Sequence, residues 1–208
     1  MKKVIFLVLA LACADAFAQS VVDNPVASRQ PDTLTDSRDG KRYRTVRIGK
    51  LRWMAENLNY DTANGSGSWC YDNADSNCVK YGRLYTWDAA KSACPAGWHL
   101  PVREEWNNLV AATGGSGIAG RKLKSKNGWH RERNGTDEYG FSAMPAGRRI
   151  GDGRFDNVDR HGYWWSAAEG KDNSAYYRNI YYSDNNVYDY GHDKSNGFSV
   201  RCVEDLDR

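Results

Sequence analysis

Five cysteines in 208 residues constrain this chain more than any other feature, because their fate depends on where the chain is sent. The N-terminus addresses that question first. Lys2-Lys3 gives a positive start, Val4 to Ala12 is an apolar run of nine, and Ala16-Phe17-Ala18 is a small-x-small cleavage site. This is the pattern of a secretory signal peptide over 1–18, with cleavage expected after Ala18. Nine apolar residues fall far short of the ~20 that span a bilayer, and no other run is long enough, so no membrane span is expected. The minority alternative reads Ala10-Leu11-Ala12-Cys13 as a loose lipoprotein box, with the protein anchored through Cys13. Cleavage after Ala18 removes Cys13 and leaves Cys70, Cys78, Cys94 and Cys202. An even set in an exported chain predicts two disulfides, with three pairings open. Cys70 and Cys78 flank a polar loop, 71–77, short enough for a local bridge to pin, and Cys94 with Cys202 would then close most of the domain. No two cysteines have the close spacing of a zinc site.

Charge and composition exclude two classes. A net charge of +3, from 29 Lys+Arg and 26 Asp+Glu, lacks the electrostatic footprint of a nucleic-acid binder. With 5 Phe, 8 Trp and 13 Tyr the chain is too aromatic for intrinsic disorder. A mean hydropathy of −0.76 sharpens the question of those rings, which either anchor a polar domain or stand on its surface to bind.

Residues 19–34, with Pro25 and Pro31, read as a flexible leader before a domain over 35–205. Alternation in Tyr43–Ile48, a turn at Gly49-Lys50 and Leu51–Met54 predict a hairpin over 41–54. One helix is expected over Leu84–Lys91. A clearer one starts at Pro101, with Glu104 and Glu105 in its first turn and Trp106, Leu109 and Val110 as its buried stripe, and ends at Gly114-Gly115. After that no long helix is expected, only short aromatic strands between Gly-rich turns. The fold class is a loop-rich α+β domain with two helices.

Catalytic signatures are missing: no G-x-S-x-G elbow, H-E-x-x-H, Walker loop or dinucleotide fingerprint occurs, so no enzyme is expected. No cofactor is expected either. Asp72, Asp75 and Asn77, or Asp184 to Asn186 with Asp189 and Asp193, offer oxygens for a structural calcium, without the EF-hand pattern. The stretch 163–196 is different. It interleaves paired aromatics with Asn, the mixture that recognition surfaces favour. Strand alternation sends about half of its rings inward. The candidate ligand-binding residues are Trp164, Trp165, Tyr176, Arg178, Tyr181, Asn185, Asn186, Tyr188 and His192, and the expected partner is an extracellular glycan, polysaccharide or protein.

Four segments carry a family likeness: Trp53 to Tyr60, Cys94 to Pro101 with Glu105-Trp106, Gly162 to Ser166, and Gly197 to Cys202. In that order the chain resembles the Fibrobacter succinogenes major paralogous domain, a family of exported bacterial proteins, from about Leu34 to Asp205. That resemblance implies a C-type lectin-like fold of short twisted antiparallel strands and long loops, in the branch of formylglycine-generating enzymes and diversified receptors. It also implies a Cys94–Cys202 disulfide. The Glu-Pro-Asn, Gln-Pro-Asp and Trp-Asn-Asp triplets of calcium-dependent lectins are absent, so their mode of sugar binding is not implied. Formylglycine generation needs free thiols, whereas all four cysteines here read as disulfides. The functional expectation is an exported non-catalytic binding module; the alternatives are an enzyme of the formylglycine-generating type, or a structural envelope or adhesion component.

Overall fold

Alternation in the first hairpin has a direct structural outcome: along Arg42–Ile48, Tyr43, Thr45 and Ile48 are buried while Arg42, Arg44 and Arg47 face water. The computed structural model describes residues 32–62 and 67–205; the expected signal peptide, Cys13 and most of the expected leader lie outside them. The strands are β1 (Thr33–Thr35), β2 (Arg42–Ile48), β3 (Leu51–Met54), β4 (Ser68–Trp69), β5 (Leu84–Tyr85), β6 (Trp98–His99), β7 (Ala146–Arg149), β8 (Phe155–Val158), β9 (His161–Glu169), β10 (Ser174–Tyr181), β11 (Tyr188–Asp193) and β12 (Val203–Glu204). The helices are α1 (Asp75–Tyr81), α2 (Trp87–Ala90), α3 (Arg103–Ala112) and α4 (Ser116–Leu123).

Two five-stranded sheets form, ordered β1-β2-β3-β12-β6 and β11-β10-β9-β7-β8, with β4-β5 as a separate pair. Their pairings are antiparallel except β7 with β9, which meet in parallel at Gly147 and Gly162. The segment 197–202 joins the sheets. Ser199 exchanges backbone hydrogen bonds with Tyr163 and Trp165, while Val200 and Cys202 accept from Leu58 and Met54. Two large aromatic cores result, beside a smaller cluster around Tyr71 and Tyr81. One gathers Met54, Leu58, Tyr85, Trp87, Trp165 and Phe198, and the other Trp53, Trp106, Leu109, Phe141, Trp164 and Ile180. Within the second, Trp53 and Trp106 lie 4.9 Å apart.

The α3 helix forms where its signals stand. Trp106, Leu109 and Val110 are buried, Glu105 accepts from the Val102 N–H, and Gly114 and Gly115 leave the helix at φ 108° and 91°. Its first turn also receives His99, whose Nε2 lies 2.9 Å from Glu105 while Nδ1 lies 2.6 Å from Asp205 near the chain's end. Both predicted bridges are present, Cys70–Cys78 and Cys94–Cys202.

Three expectations change. The run Leu84–Lys91 is not one helix. Leu84 and Tyr85 pair with β4, and only Trp87–Ala90 is helical, capped where the Thr86 hydroxyl accepts from the Ala89 N–H. Two further α-helices bring the count among the described residues to four. α1 occupies part of the loop between Cys70 and Cys78, burying only Cys78 and Tyr81. α4 hides behind Gly117 and Gly120, poor helix formers; Gly120 is required because a Cβ there would lie 2.5 Å from the Asn186 carbonyl oxygen. Lastly, Thr33 and Leu34, at the end of the expected leader, belong to the first sheet through β1.

Candidate functional site

β10 divides its side chains between two environments. Tyr177, Asn179 and Tyr181 share one face, and Tyr176, Arg178 and Ile180 the other. Register then assembles the first face: β11 sets Tyr188 opposite Asn179 and Tyr190 opposite Tyr177, while β9 sets His161 opposite Tyr181 and Tyr163 opposite Asn179. The side chains close a circuit. His161 to Tyr181 is 4.5 Å between ring centres, Tyr181 to Tyr188 5.0 Å, Tyr188 to Tyr190 5.5 Å, and Tyr190 to Tyr177 6.1 Å. Tyr177 continues to His192 at 6.1 Å, whose Nε2 lies 3.2 Å from Arg148 Nη1. Arg148 sits 5.5 Å over the Tyr163 ring, and Tyr163 returns to His161 at 5.5 Å.

The inner side of this circuit is core, with Tyr163 and Tyr177 buried against Phe198. Its outer side is a shelf: Tyr181, Tyr188, His161 and His192 are half-buried and Tyr190 is 41% exposed. Tyr188 and Tyr190 stack with their planes only 9° apart. Tyr188 is held from below, its hydroxyl donating to Asp184 Oδ2 at 3.1 Å and accepting from Asn186 Nδ2 at 2.9 Å.

The cation of the circuit is paired, and the Asp184 carboxylate beneath Tyr188 is met by hydrogen bonds. Arg148 is neutralised by two hydrogen bonds to Asp156, of 2.8 and 3.2 Å. Burial lowers the pKa of His161 and of His192, keeping both imidazoles neutral. Burial likewise raises Tyr177 to about 12 and raises Tyr181, so these phenols stay protonated and able to donate. Flat rings with hydroxyl and imidazole edges suit stacking plus hydrogen bonding with a hydroxylated ligand.

Of the predicted residues, Tyr181, Tyr188 and His192 meet on this shelf, and Asn185 and Asn186 lie in the turn that supports it. Trp164 and Trp165 do not face a ligand. Both are buried, at 1% and 0% exposure, because each face of β9 is covered by a different core. Their indoles are committed: Trp164 Nε1 donates to Asn57 Oδ1 and Trp165 Nε1 to the Tyr85 carbonyl. Arg178 is buried too, its guanidinium donating to Asn107 and the Arg103 carbonyl and pairing with Asp189 at 3.2 Å. Tyr176 lies on that same reverse face, with the Arg103 guanidinium 4.1 Å from its ring centre. The residues missed are Tyr190, His161, Arg148 and Asp156. Tyr190 had a signal in the period-two spacing of Tyr188 and Tyr190; Arg148 and Asp156 are brought in by the β7–β8 pairing, which no local pattern encodes.

Among the described residues no three His, Cys, Asp or Glu side chains gather as metal ligands. Of the acidic residues considered for calcium, Asp189 pairs with Arg103 and Arg178, Asp184 holds Tyr188 and Asp193 accepts from the Ser195 N–H. All four described cysteines are in disulfides.

Fold and site together define a disulfide-stapled α+β domain that displays aromatic side chains on the edge of its second sheet. The chain belongs to the Fibrobacter succinogenes major domain family, whose model matches residues 46–204, from within β2 to the end of β12. No curated protein and no solved structure matches it.

Proposed function

We propose that this protein is an exported, non-catalytic binding module of lectin-like fold that takes a neutral glycan chain on the shelf of Tyr181, Tyr188 and Tyr190. The observation that carries this reading is the stacked pair Tyr188–Tyr190 on the edge strand β11, with Tyr190 the most exposed aromatic of the described residues. Tyr188, held in place by Asp184 and Asn186, loses little rotamer freedom when a sugar ring stacks on it. Export to an oxidising compartment is supported by the two disulfides, and no described helix is long and apolar enough to cross a membrane.

The test is retention of the mature protein on insoluble cellulose and xylan. Tyr188→Ala and Tyr190→Ala should each weaken retention at least about fivefold, the effect of losing a contact worth roughly 1 kcal/mol. Tyr176→Ala, on the reverse face, should bind as wild type does. Full retention by a Tyr181/Tyr188/Tyr190 triple alanine variant would refute the assignment.

A further inference from the structure

A second site lies outside the shelf. Strand β2, the chain 55–59 and the C-terminal end of α1 enclose a cleft of about 340 Å³. This is within the roughly 300–1,000 Å³ of small-molecule sites. Its lining holds Lys41, Arg42, Arg44 and Lys80 but a single carboxylate, Glu56. That carboxylate is occupied by the Arg44 side chain at 3.2 Å and the Arg44 N–H at 2.8 Å. Lys41 is held by Asp39 and the Asn59 carbonyl. Two cations have no acid partner among the described residues: Arg42 reaches the Thr33 hydroxyl, at 3.3 Å, and Lys80 lies 4.6 Å from the Tyr81 ring centre.

A third unpaired cation stands behind the wall. Arg201 is 0% exposed, and its guanidinium donates only to neutral oxygens: Asn57 Oδ1 and the carbonyls of Met54, Phe141 and Ser142. Asn57 and Ser142 also line the cleft. Glu56 and Asp137 act on the guanidinium only at a distance, and burial pushes its pKa down to about 9, which leaves it charged at neutral pH. Burying a cation without a contacting anion is costly, and a low-dielectric wall carries its field into the adjoining space. An anion in the cleft would be drawn to three uncompensated positive charges. Tyr43, Tyr81 and Met144 supply apolar wall for the rest of such a ligand, and Asn59 supplies an amide.

We infer that this cleft binds an acidic sugar, with the ligand carboxylate drawn to Arg42 and Lys80 in the field of buried Arg201. The site is separate from the tyrosine shelf and does not depend on the glycan reading of that shelf.

Calorimetric titration of the mature protein with digalacturonate, and with its uncharged methyl ester, decides the matter. The acid should bind at least about tenfold more tightly than the ester, and its affinity should fall when salt is raised to about 0.5 M. An Arg42→Gln/Lys80→Gln variant should lose at least about tenfold toward the acid while keeping the near-ultraviolet dichroism of the folded protein. Tyr190→Ala should keep full affinity for it. Equal binding of acid and ester, binding of neither, or an undiminished double variant would overturn the proposal; so would loss of acid binding in Tyr190→Ala, which would move the acid to the shelf.

Discussion

Removing each disulfide separately tests what the two bridges do. Cys94 and Cys202 are 108 residues apart, and Cys70 and Cys78 only 8. If a bridge acts by restricting the unfolded chain, the loop-length relation gives about 4.8 kcal/mol for the long loop and about 2.5 kcal/mol for the short one. At roughly 2–4 °C per kcal/mol for a chain of this size, Cys94→Ala/Cys202→Ala should lower Tm by about 10–19 °C. On the same scale, Cys70→Ala/Cys78→Ala should lower it by about 5–10 °C. Cys202 is fully buried within the first core, so its truncation also leaves a void there. The assay is urea unfolding followed by tryptophan fluorescence, with calorimetry for Tm, on both double variants. An equal or larger loss from the 70–78 pair would refute the reasoning, because α1 would then be contributing native-state enthalpy that loop length does not describe.

Two further predictions concern single side chains. Burial of His99 opposes its charge, but hydrogen bonds to Asp205 and Glu105 outweigh burial and its pKa is raised above 6.5. Its stabilising contribution is therefore complete below about pH 6.5 and lost as pH rises through the higher folded value. The stability difference between wild type and His99→Gln should shrink over that rise; a difference constant from about pH 5.5 to 8.5 would contradict the linkage. His161 and His192, shifted the other way, occur in both proteins and cancel from this difference. Asn57 accepts from Trp164 Nε1 at 2.9 Å and Arg201 Nε at 2.7 Å, and donates to the Tyr81 carbonyl at 2.8 Å. Asn57→Ala leaves buried donors and an acceptor unpaired and should cost about 3 kcal/mol or more in urea unfolding; near-native stability would show that the network relaxes freely.

The parts of the fold legible from sequence were those with local causes. Pro101, the two glutamates and the Trp106 stripe mark α3 without help from any other segment, and alternation marks β2. The α4 helix carries two glycines that local propensity counts against it, and only the close passage of the Asn185–Asn186 backbone explains Gly120. The tryptophans at 164 and 165 misled for a different reason. A period-two reading assumes that one side of a strand meets water, whereas β9 is covered on both sides. The shelf was half visible. Tyr181, Tyr188 and His192 come from one hairpin, while the His161 and Arg148 that complete the circuit arrive through pairings among β7, β9 and β10.

The long bridge also governs what happens when the backbone is cut. α3, α4, β7 to β11 and the whole tyrosine shelf lie between Cys94 and Cys202. Exposed loop tips are where proteases nick a folded domain. One nick in that interval opens a covalent ring and releases no fragment. The new termini stay tethered at high effective concentration, so the severed segments can re-pair within the same molecule. That is damage tolerance built into the chain's connectivity.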